Sequence, residues 1–222
     1  MKKIKGIIFD VDQTLTTEVS WIKFTRLLGA DPVVHQDIFQ RFKDGKLTYP
    51  VAKKQLIDLW KATGKANLTT IREIFKSFEF SPDTEEVISY LKKKGYQICL
   101  ISGAIDIYIE TVAERLGIAE WYASTKLHFD VSGEITDFDY TLGRGEEKLK
   151  FFEKFCRKND LSPEECAAIG DGDTDMPIFE RVALPILFIA PETSAEQKRK
   201  VTTKITSLKQ LLILPPIIKW LA

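Results

Sequence analysis

Acidic and small polar residues follow three apolar stretches of the chain, and their types suit phosphate chemistry. Asp10 and Asp12 follow the first stretch, Ser102 and Gly103 the second, and the run 170–175, Gly-Asp-Gly-Asp-Thr-Asp, the third. If each stretch is a strand of one parallel sheet, these groups meet at the carboxyl ends of the strands, where such sheets bind ligands. We therefore expect the three segments to build one site.

The carboxylates of this set predict a metal ion. Asp10, Asp12, Asp171 and Asp175 would converge in one crevice, where like charges repel and some carboxylates must hold protons unless a cation is present. An all-oxygen donor set without histidine favours Mg²⁺ over zinc. Mg²⁺ also keeps open positions for a phosphate.

The spacing Asp10-Val11-Asp12 suits covalent phosphoryl transfer. Residues two apart on a strand extension share a face. One carboxylate can then attack phosphorus, while the other protonates the leaving alcohol and afterwards activates water. This division of roles requires a raised pKa at Asp12.

Neighbouring groups could hold the phosphate. The Ser102 hydroxyl can donate a hydrogen bond, and we expect the N–H of Gly103 at a helix N-terminus, which favours an anion. Lys148 or Lys150, at the start of a later helix, could add positive charge for the transferring phosphoryl group.

Each of these pieces, taken alone, also fits a structural role. Asp-x-Asp and Ser-Gly are common in turns and helix caps, and either lysine could be a solvated surface residue. The run 170–175 is too short to supply the other ligands of an EF-hand. The occurrence of all the pieces in this order, three of them after predicted strands, favours the functional interpretation.

Strands and helices alternate after residue 81, which is typical of a parallel sheet. Strands are predicted at 4–11, 97–101, 121–129, 166–169 and 184–189, with a β-hairpin at 131–140; helices are predicted at 81–94, 106–116, 146–158, 175–181, 194–201 and 208–212. Residues 19–80 instead place apolar residues at helical spacing.

The predicted fold is therefore α/β: a Rossmann-like parallel sheet flanked by helices, with a helical cap inserted after the first strand. Residues 1–17 and 81–222 would form the catalytic core, and residues 18–80 the cap domain. A segment that leaves from the end of the first strand would overhang the ligand edge of the sheet.

Charge balance, apolar runs and cysteine content limit the binding partners and the cellular location that we expect. Lys and Arg number 32, as do Asp and Glu, so the formal net charge is zero; this argues against nucleic acid as a partner. No apolar run is long enough for a membrane span or a signal peptide. Three cysteines without CxxC spacing indicate a reducing compartment, so we expect a cytoplasmic protein, a monomer or a homodimer. The apolar tail 211–222 is expected to pack onto the core, with a dimer contact as the alternative.

Taken together, these residues make the sequence resemble a known family. The segment 9–16 (Phe-Asp-Val-Asp-Gln-Thr-Leu-Thr), 101–103 (Ile-Ser-Gly), Lys148 and 170–175 resemble the four motifs of the haloacid-dehalogenase-like hydrolases. The helical block between the first two motifs resembles the cap of the phosphoserine-phosphatase-like branch. The resemblance spans nearly the whole chain, and it implies a Mg²⁺-dependent phosphomonoester hydrolase with an aspartyl-phosphate intermediate.

The resemblance also implies a role for each matching residue. Asp10 would be the nucleophile and a metal ligand, and Asp12 would be the general acid/base that also offers the metal its backbone carbonyl. Lys148 would contact the nucleophile and the phosphate, with Lys150 as the second choice, and Asp171 and Asp175 would be further metal ligands. The phosphate would be bound by Ser102, Gly103 and Thr174, and the substrate amine by Glu18. The family's dehalogenases and ion-pumping ATPases lack a carboxylate at the position of Asp12, so its presence favours ester hydrolysis.

Departures from the branch leave the substrate open. Gln13 stands where phosphoserine phosphatases tend to have a small residue, and 51–55 offers only lysines in place of their carboxylate-binding arginine. Phosphoserine, phosphoethanolamine-like esters and small sugar phosphates are the alternatives. Two other functions also remain: a phosphotransferase that gives the phosphoryl group to an alcohol, and a non-catalytic binding protein on the same fold.

Overall fold

A computed structural model of the protein describes residues 2–191 and 193–218. Within these ranges one sheet contains the strands β1 (Gly6–Phe9), β2 (Gln97–Ile105), β3 (Glu120–Phe129), β4 (Ile135–Tyr140), β5 (Cys166–Gly170), β6 (Leu184–Phe188) and β7 (Thr203–Ile205). Their order is β4-β3-β2-β1-β5-β6-β7. Neighbouring strands run parallel except for the antiparallel pair β3–β4, so the predicted α/β class is confirmed.

Helices connect the strands. In the described residues they are α1 (Ser20–Leu28), α2 (Pro32–Lys43), α3 (Tyr49–Lys61), α4 (Leu68–Lys76), α5 (Thr84–Lys93), α6 (Asp106–Leu116), α7 (Arg144–Lys158), α8 (Met176–Phe179), α9 (Ala195–Lys200) and α10 (Pro215–Ile218), with 3₁₀ turns at Pro163–Glu165, Asp173–Asp175 and Leu208–Ile213. Helices α1–α4 lie in the segment 18–80, as the apolar spacing indicates. Across the ranges given above, none of these helices has the length and apolar character to cross a bilayer.

Both faces of strand β1 are buried, because its alternating side chains pack into two separate apolar clusters. Ile7 and Phe9 enter a first apolar cluster, which α5 and α6 cover with residues such as Val87 and Val112. Ile8 points the other way into a second cluster, which includes Phe152 of α7. A strand that is buried along its whole length therefore carries the Asp-x-Asp segment at its end.

The connectivity creates a crevice beside β1. From β1 the chain moves to β2 and β3 on one side, and it later returns to β5 on the other side. A reversal of strand order opens a gap at the carboxyl ends of the two central strands, and this gap is the usual ligand position in open α/β sheets. The residues that follow β1 and β5 consequently face each other across it.

Several local features differ from the sequence prediction. Helix α5 begins at Thr84 rather than at Ser81, since Asp83 before it adopts φ 68°, outside the helical region. Strand β2 continues to Ile105, with a register shift against β3 after Ser102. The N–H of Gly103 is therefore not at a helix N-terminus, because α6 begins only at Asp106. Strand β7 has three residues, too few to show an alternating pattern.

The C-terminal tail packs onto the core as far as the structure describes it. Leu211 and Ile217 are buried in the first cluster, and the Tyr96 hydroxyl donates a hydrogen bond to the Ile217 carbonyl at 2.9 Å. The last residues of the predicted tail, 219–222, lie outside the described residues.

Candidate active site

Three aspartates meet in the crevice between β1 and β5. Asp10 directly follows β1, and its N–H extends the sheet by donating to the Ile169 carbonyl at 2.9 Å. Asp171 directly follows β5. One carboxylate oxygen of each of Asp10, Asp171 and Asp175 lies within 4.8 Å of the others, so the structure brings these predicted metal ligands together.

Gly170 makes room for the third aspartate. The N–H of Gly172 donates to Asp175 Oδ2 at 3.2 Å, which turns the Asp175 carboxylate back towards the end of β5. A Cβ on Gly170 would collide with that carboxylate. The glycine is therefore a spatial requirement of the acidic cluster, a role that the sequence pattern alone did not distinguish.

Lys148 is the cation at the centre of the cluster. Its side chain is only 1% exposed, and its Nζ lies 2.9 Å from Asp10 Oδ2 and 2.7 Å from Asp175 Oδ1. Burial by itself lowers the pKa of Lys148, but the two carboxylates outweigh burial and raise that pKa above its ordinary value. Lys150, the second choice from the sequence, is exposed.

The donor set fits a hard divalent cation. Burial, followed by the charges of Asp10 and Asp175, raises the pKa of Asp171 to about 8. Burial raises the pKa of Asp175 to about 6, although Lys148 counteracts it. One lysine does not balance the three carboxylates, and a divalent ion with oxygen preference would relieve their repulsion.

Asp12 stands apart from the acidic cluster. Its Oδ2 accepts hydrogen bonds from Ser20 N at 3.1 Å and Ser20 Oγ at 2.8 Å. Its Oδ1 is buried and has no hydrogen-bond partner in residues 2–191 and 193–218. Burial raises the pKa of Asp12 to about 7, and the nearby Asp10 adds to the rise. A carboxyl with this pKa can both give and take a proton near neutral pH.

Ser20 was not singled out from the sequence. It is the first residue of α1, and a single serine at a helix start has no pattern that distinguishes it from an ordinary capping residue. Its two hydrogen bonds fix the Asp12 carboxyl and also join the segment 18–80 to the end of β1.

The predicted phosphate-binding residues lie at the irregular end of β2 and in the acidic turn. Ser102 is buried, and its Oγ accepts from the Ala104 N–H at 3.3 Å. The Gly103 carbonyl accepts from Thr125 Oγ1 at 3.3 Å. Thr174 is half-buried in the turn Asp173–Asp175. Phosphate binding by these residues stays a prediction.

Glu18 has two cationic partners of its own. Its carboxylate forms ion pairs with Lys23 and Arg26, and the hydrogen bond from Lys23 leads in lowering the pKa of Glu18. The predicted grip on a substrate amine would have to compete with both cations.

A cavity of about 270 Å³ lies between helices α1–α3 and strand β4. Arg144, the first residue of α7, lines this cavity and also packs on Gly103. A Cβ added to Gly103 would lie 3.1 Å from Arg144 Cδ. No sequence pattern distinguishes Arg144, because an arginine at a helix start is usually a surface residue.

Comparison with known proteins adds a family model. The model of haloacid dehalogenase-like hydrolases matches residues 4–182. Phosphoserine phosphatase of Methanocaldococcus jannaschii is 26% identical over 217 residues, 95% of this chain and 97% of the relative. The human phosphoserine phosphatase is 28% identical over 178 residues, 77% of this chain and 75% of the relative.

Solved structures give the same picture. A phospho-aspartyl intermediate analogue of phosphoserine phosphatase superposes with a TM-score of 0.71 at 26% identity, covering 96% of this chain and 99% of the other. A substrate-bound phosphoserine phosphatase gives 0.72 at 25% identity, with the same coverage of both chains.

Proposed function

This chain belongs to the haloacid dehalogenase-like hydrolases, in their phosphoserine-phosphatase-like branch, and from that membership we propose that it hydrolyses a small phosphate monoester through an aspartyl-phosphate formed on Asp10. It is accordingly a phosphatase of this family. The observation that carries the proposed mechanism is the ion-paired triplet of Asp10, Lys148 and Asp175 beside the buried carboxyl of Asp12.

The first half-reaction transfers the phosphoryl group to the enzyme. An Asp10 oxygen attacks phosphorus as the ester P–O bond breaks, and Asp12 gives its proton to the departing alkoxide. Lys148 offsets charge on Asp10 and on the transferring group. Mg²⁺, when bound by Asp10, Asp171, Asp175 and the Asp12 carbonyl, would supply the further positive charge that this group needs.

The second half-reaction restores the enzyme. Asp12, now a carboxylate, takes a proton from water, and the resulting hydroxide attacks phosphorus. The bond between phosphorus and the Asp10 oxygen breaks, which releases inorganic phosphate. The raised pKa of Asp12 supports both duties, because a group that titrates near 7 reverses its proton state readily at neutral pH.

We also propose that residues 18–80 form a cap domain over a core of residues 1–17 and 81–222. The hydrogen bonds from Ser20 to Asp12 support this division, since they bring the start of the segment to the edge of the sheet. A cap over this edge would exclude bulk water during the first half-reaction. A cytoplasmic location remains part of the proposal.

The test is turnover of 4-nitrophenyl phosphate with Mg²⁺, with a chelator, and after Mg²⁺ is restored. We expect activity to vanish with chelator and to return with Mg²⁺. Asp10→Asn should abolish turnover.

Lys148→Ala and Lys150→Ala form a matched pair, because one lysine is buried in the site and the other is exposed. A loss of roughly 100-fold or more is expected for Lys148→Ala and little change for Lys150→Ala, with circular dichroism to verify folding. Full activity of Asp10→Asn, or activity that chelation leaves untouched, would contradict the proposal.

A further inference from the structure

The cavity between helices α1–α3 and strand β4 has an aromatic lining. Six rings face it, from both walls: Trp21, Phe39, Phe42, Tyr49, Phe138 and Tyr140. The rings also brace one another, because Trp21 meets Phe138 edge to face at 5.7 Å and Tyr49 stacks on Tyr140 at 6.4 Å. Such mutual packing gives a preformed apolar surface rather than one that a ligand must assemble.

The charges on the cavity wall are positive or neutralised. No carboxylate lines the cavity within the described part of the chain. Lys53 is paired with Asp137 at 2.7 Å and donates to the Phe138 carbonyl at 3.0 Å. Burial lowers the pKa of His35 to about 4, so its ring is neutral at pH 7. A ligand ammonium group would therefore find no counter-charge here.

Arg144 is the cation of this wall that keeps its charge available. No salt bridge joins it to a carboxylate among the residues whose positions the structure gives, and its guanidinium lies over the Tyr140 ring at 5.3 Å. A half-buried arginine stacked on a ring retains its donors for an anion, which it can bind with two parallel hydrogen bonds.

Arg144 also connects the cavity to the catalytic groups. It packs on Gly103, and Lys148 follows it on α7 by four residues, hence on the same helix face. On the opposite side Val19 lines the cavity, directly before Ser20, which binds Asp12. Residues at two places on the cavity lining, Val19 and Arg144, are therefore next to groups that contact or border the catalytic residues.

We propose that the substrate is a phosphate monoester of an alcohol with an aromatic or similarly flat apolar group and no positive charge, whose ring occupies this cavity while Arg144 binds the phosphate beside Gly103. The inference rests on the proposed function and specifies its substrate. A cavity of about 270 Å³ is near the lower end of the small-molecule range and suits a single ring system. Among the lining residues that the structure describes, the amine of phosphoserine finds no carboxylate, and the available cation, Arg144, is assigned to the phosphate.

The first experiment compares esters whose leaving alcohols have similar basicity, so that kcat/KM reports binding rather than bond strength. We compare 2-phenylethyl phosphate with propyl phosphate, phosphoethanolamine and phosphoserine, all with Mg²⁺. The phenylethyl ester should exceed each of the others by roughly tenfold or more in kcat/KM, because its ring leaves water. Equal values, or a preference for phosphoserine, would overturn the proposal.

Two variant pairs locate the effect. Phe39→Ala should remove most of the preference, measured as the ratio of kcat/KM for 2-phenylethyl phosphate to that for propyl phosphate, whereas Phe151→Ala, in the second cluster against Tyr122, should retain that ratio. Arg144→Gln should raise the inhibition constant of inorganic phosphate by roughly tenfold, with partial rescue in Arg144→Lys and no change in Arg157→Gln, an exposed residue of the same helix. Unchanged phosphate inhibition in Arg144→Gln would refute that residue's part.

Ligand binding without turnover separates this inference from the proposed function. Tryptophan fluorescence, to which Trp21 of the cavity contributes, should change on addition of 2-phenylethylphosphonate and not of propylphosphonate, and Phe39→Ala should abolish the change. If no ester is hydrolysed but this change occurs, the proposed function fails and the cavity assignment stands. If esters are hydrolysed but the two phosphonates act alike, the cavity assignment fails alone.

Discussion

Gly170 shows how a missing side chain can determine a charged cluster. The Asp175 carboxylate occupies the volume that a Cβ on Gly170 would need. Any side chain there must displace Asp175 from Lys148 and from the other two aspartates. The acidic run therefore depends on its first residue as much as on its carboxylates.

Gly170→Ala should consequently reduce phosphatase activity by roughly 100-fold, because an aspartate shifted by about 1 Å loses its contacts in a preorganised site. The matched variant is Gly172→Ala, whose added Cβ would meet Asp175 Oδ2 only at 3.9 Å, an ordinary contact. Steady-state kinetics on both variants checks the prediction. Equal activity of the two would show that Asp175 relocates without loss.

Asp12 should act on leaving group and water rather than on binding. In Asp12→Asn, 4-nitrophenolate still departs because it needs no proton, but water activation fails. We expect a burst of one nitrophenol per site followed by turnover slowed by roughly 10²- to 10⁴-fold. Stopped-flow absorbance of the released 4-nitrophenolate detects the burst. Steady turnover at the normal rate would remove Asp12 from the acid/base role.

At the residue level, motif and spacing selected Asp10, Asp171 and Asp175, and the family resemblance preferred Lys148 to Lys150; the structure brings these four side chains together. Ser20 and Arg144 could not be selected from the sequence, and the reason is physical. Each contributes one side chain to the site from an element whose sequence has no other functional signal, and their proximity arises only from tertiary packing.

Among the elements, the segment 18–80 contains a buried histidine that links its helices. His35 of α2 lies with Nδ1 2.6 Å from Thr25 Oγ1 of α1, and that oxygen also accepts from Trp60 Nε1 of α3 at 3.0 Å. Burial lowers the pKa of His35 to about 4 from 6.5. The neutral ring is therefore part of the packed state.

This histidine predicts acid sensitivity. Between pH 6.5 and pH 4 the unfolded chain binds a proton that folded His35 does not, so the free energy of unfolding falls as pH falls. The loss should be about 2 kcal/mol between pH 7 and pH 5. Urea denaturation of wild type and His35→Gln at both pH values measures it. If the two proteins lose equal stability, His35 does not titrate as described.

Helices and strands were predicted correctly where their hydrophobic pattern was long, and the errors lie at the ends of the elements and in short strands. Helix α6 begins and ends where apolar spacing and Gly117 indicate. The extension of β2 through Gly103 was missed because pairing with β3, which is remote in sequence, determines it. Among the strands of the described residues, β7 pairs with β6 alone. A three-residue edge strand has too little sequence to be recognised.

At the scale of the whole molecule, metal binding should be visible in stability. An ion that binds only the folded chain raises the free energy of unfolding by about 2.7 kcal/mol at 100 times its dissociation constant. Mg²⁺ should therefore raise Tm, and a chelator should reverse the rise. Scanning calorimetry measures the difference.

The difference in stability between Asp171→Asn and wild type should depend on Mg²⁺. Without Mg²⁺ the variant should be at least as stable as wild type, because it lacks the buried, repelled carboxyl group: burial, followed by the charges of Asp10 and Asp175, raises the pKa of Asp171 to about 8. With Mg²⁺ it should be less stable, having lost a ligand. Asp173→Asn is the control: Asp173 lies in the same turn but outside the cluster, with its carboxylate bound to Gln197. A Mg²⁺ response lost equally in both variants would contradict the assignment.

The central position of β1 has a consequence for biogenesis. The residue proposed to react, Asp10, is synthesised well before its cationic and acidic partners Lys148, Asp171 and Asp175. Before those distant segments have been synthesised and have joined the sheet, a nascent chain holds an isolated carboxylate with nothing to direct it. Catalysis must consequently be among the last properties that the chain acquires, and regain of activity during refolding reports closure of the sheet rather than its initiation.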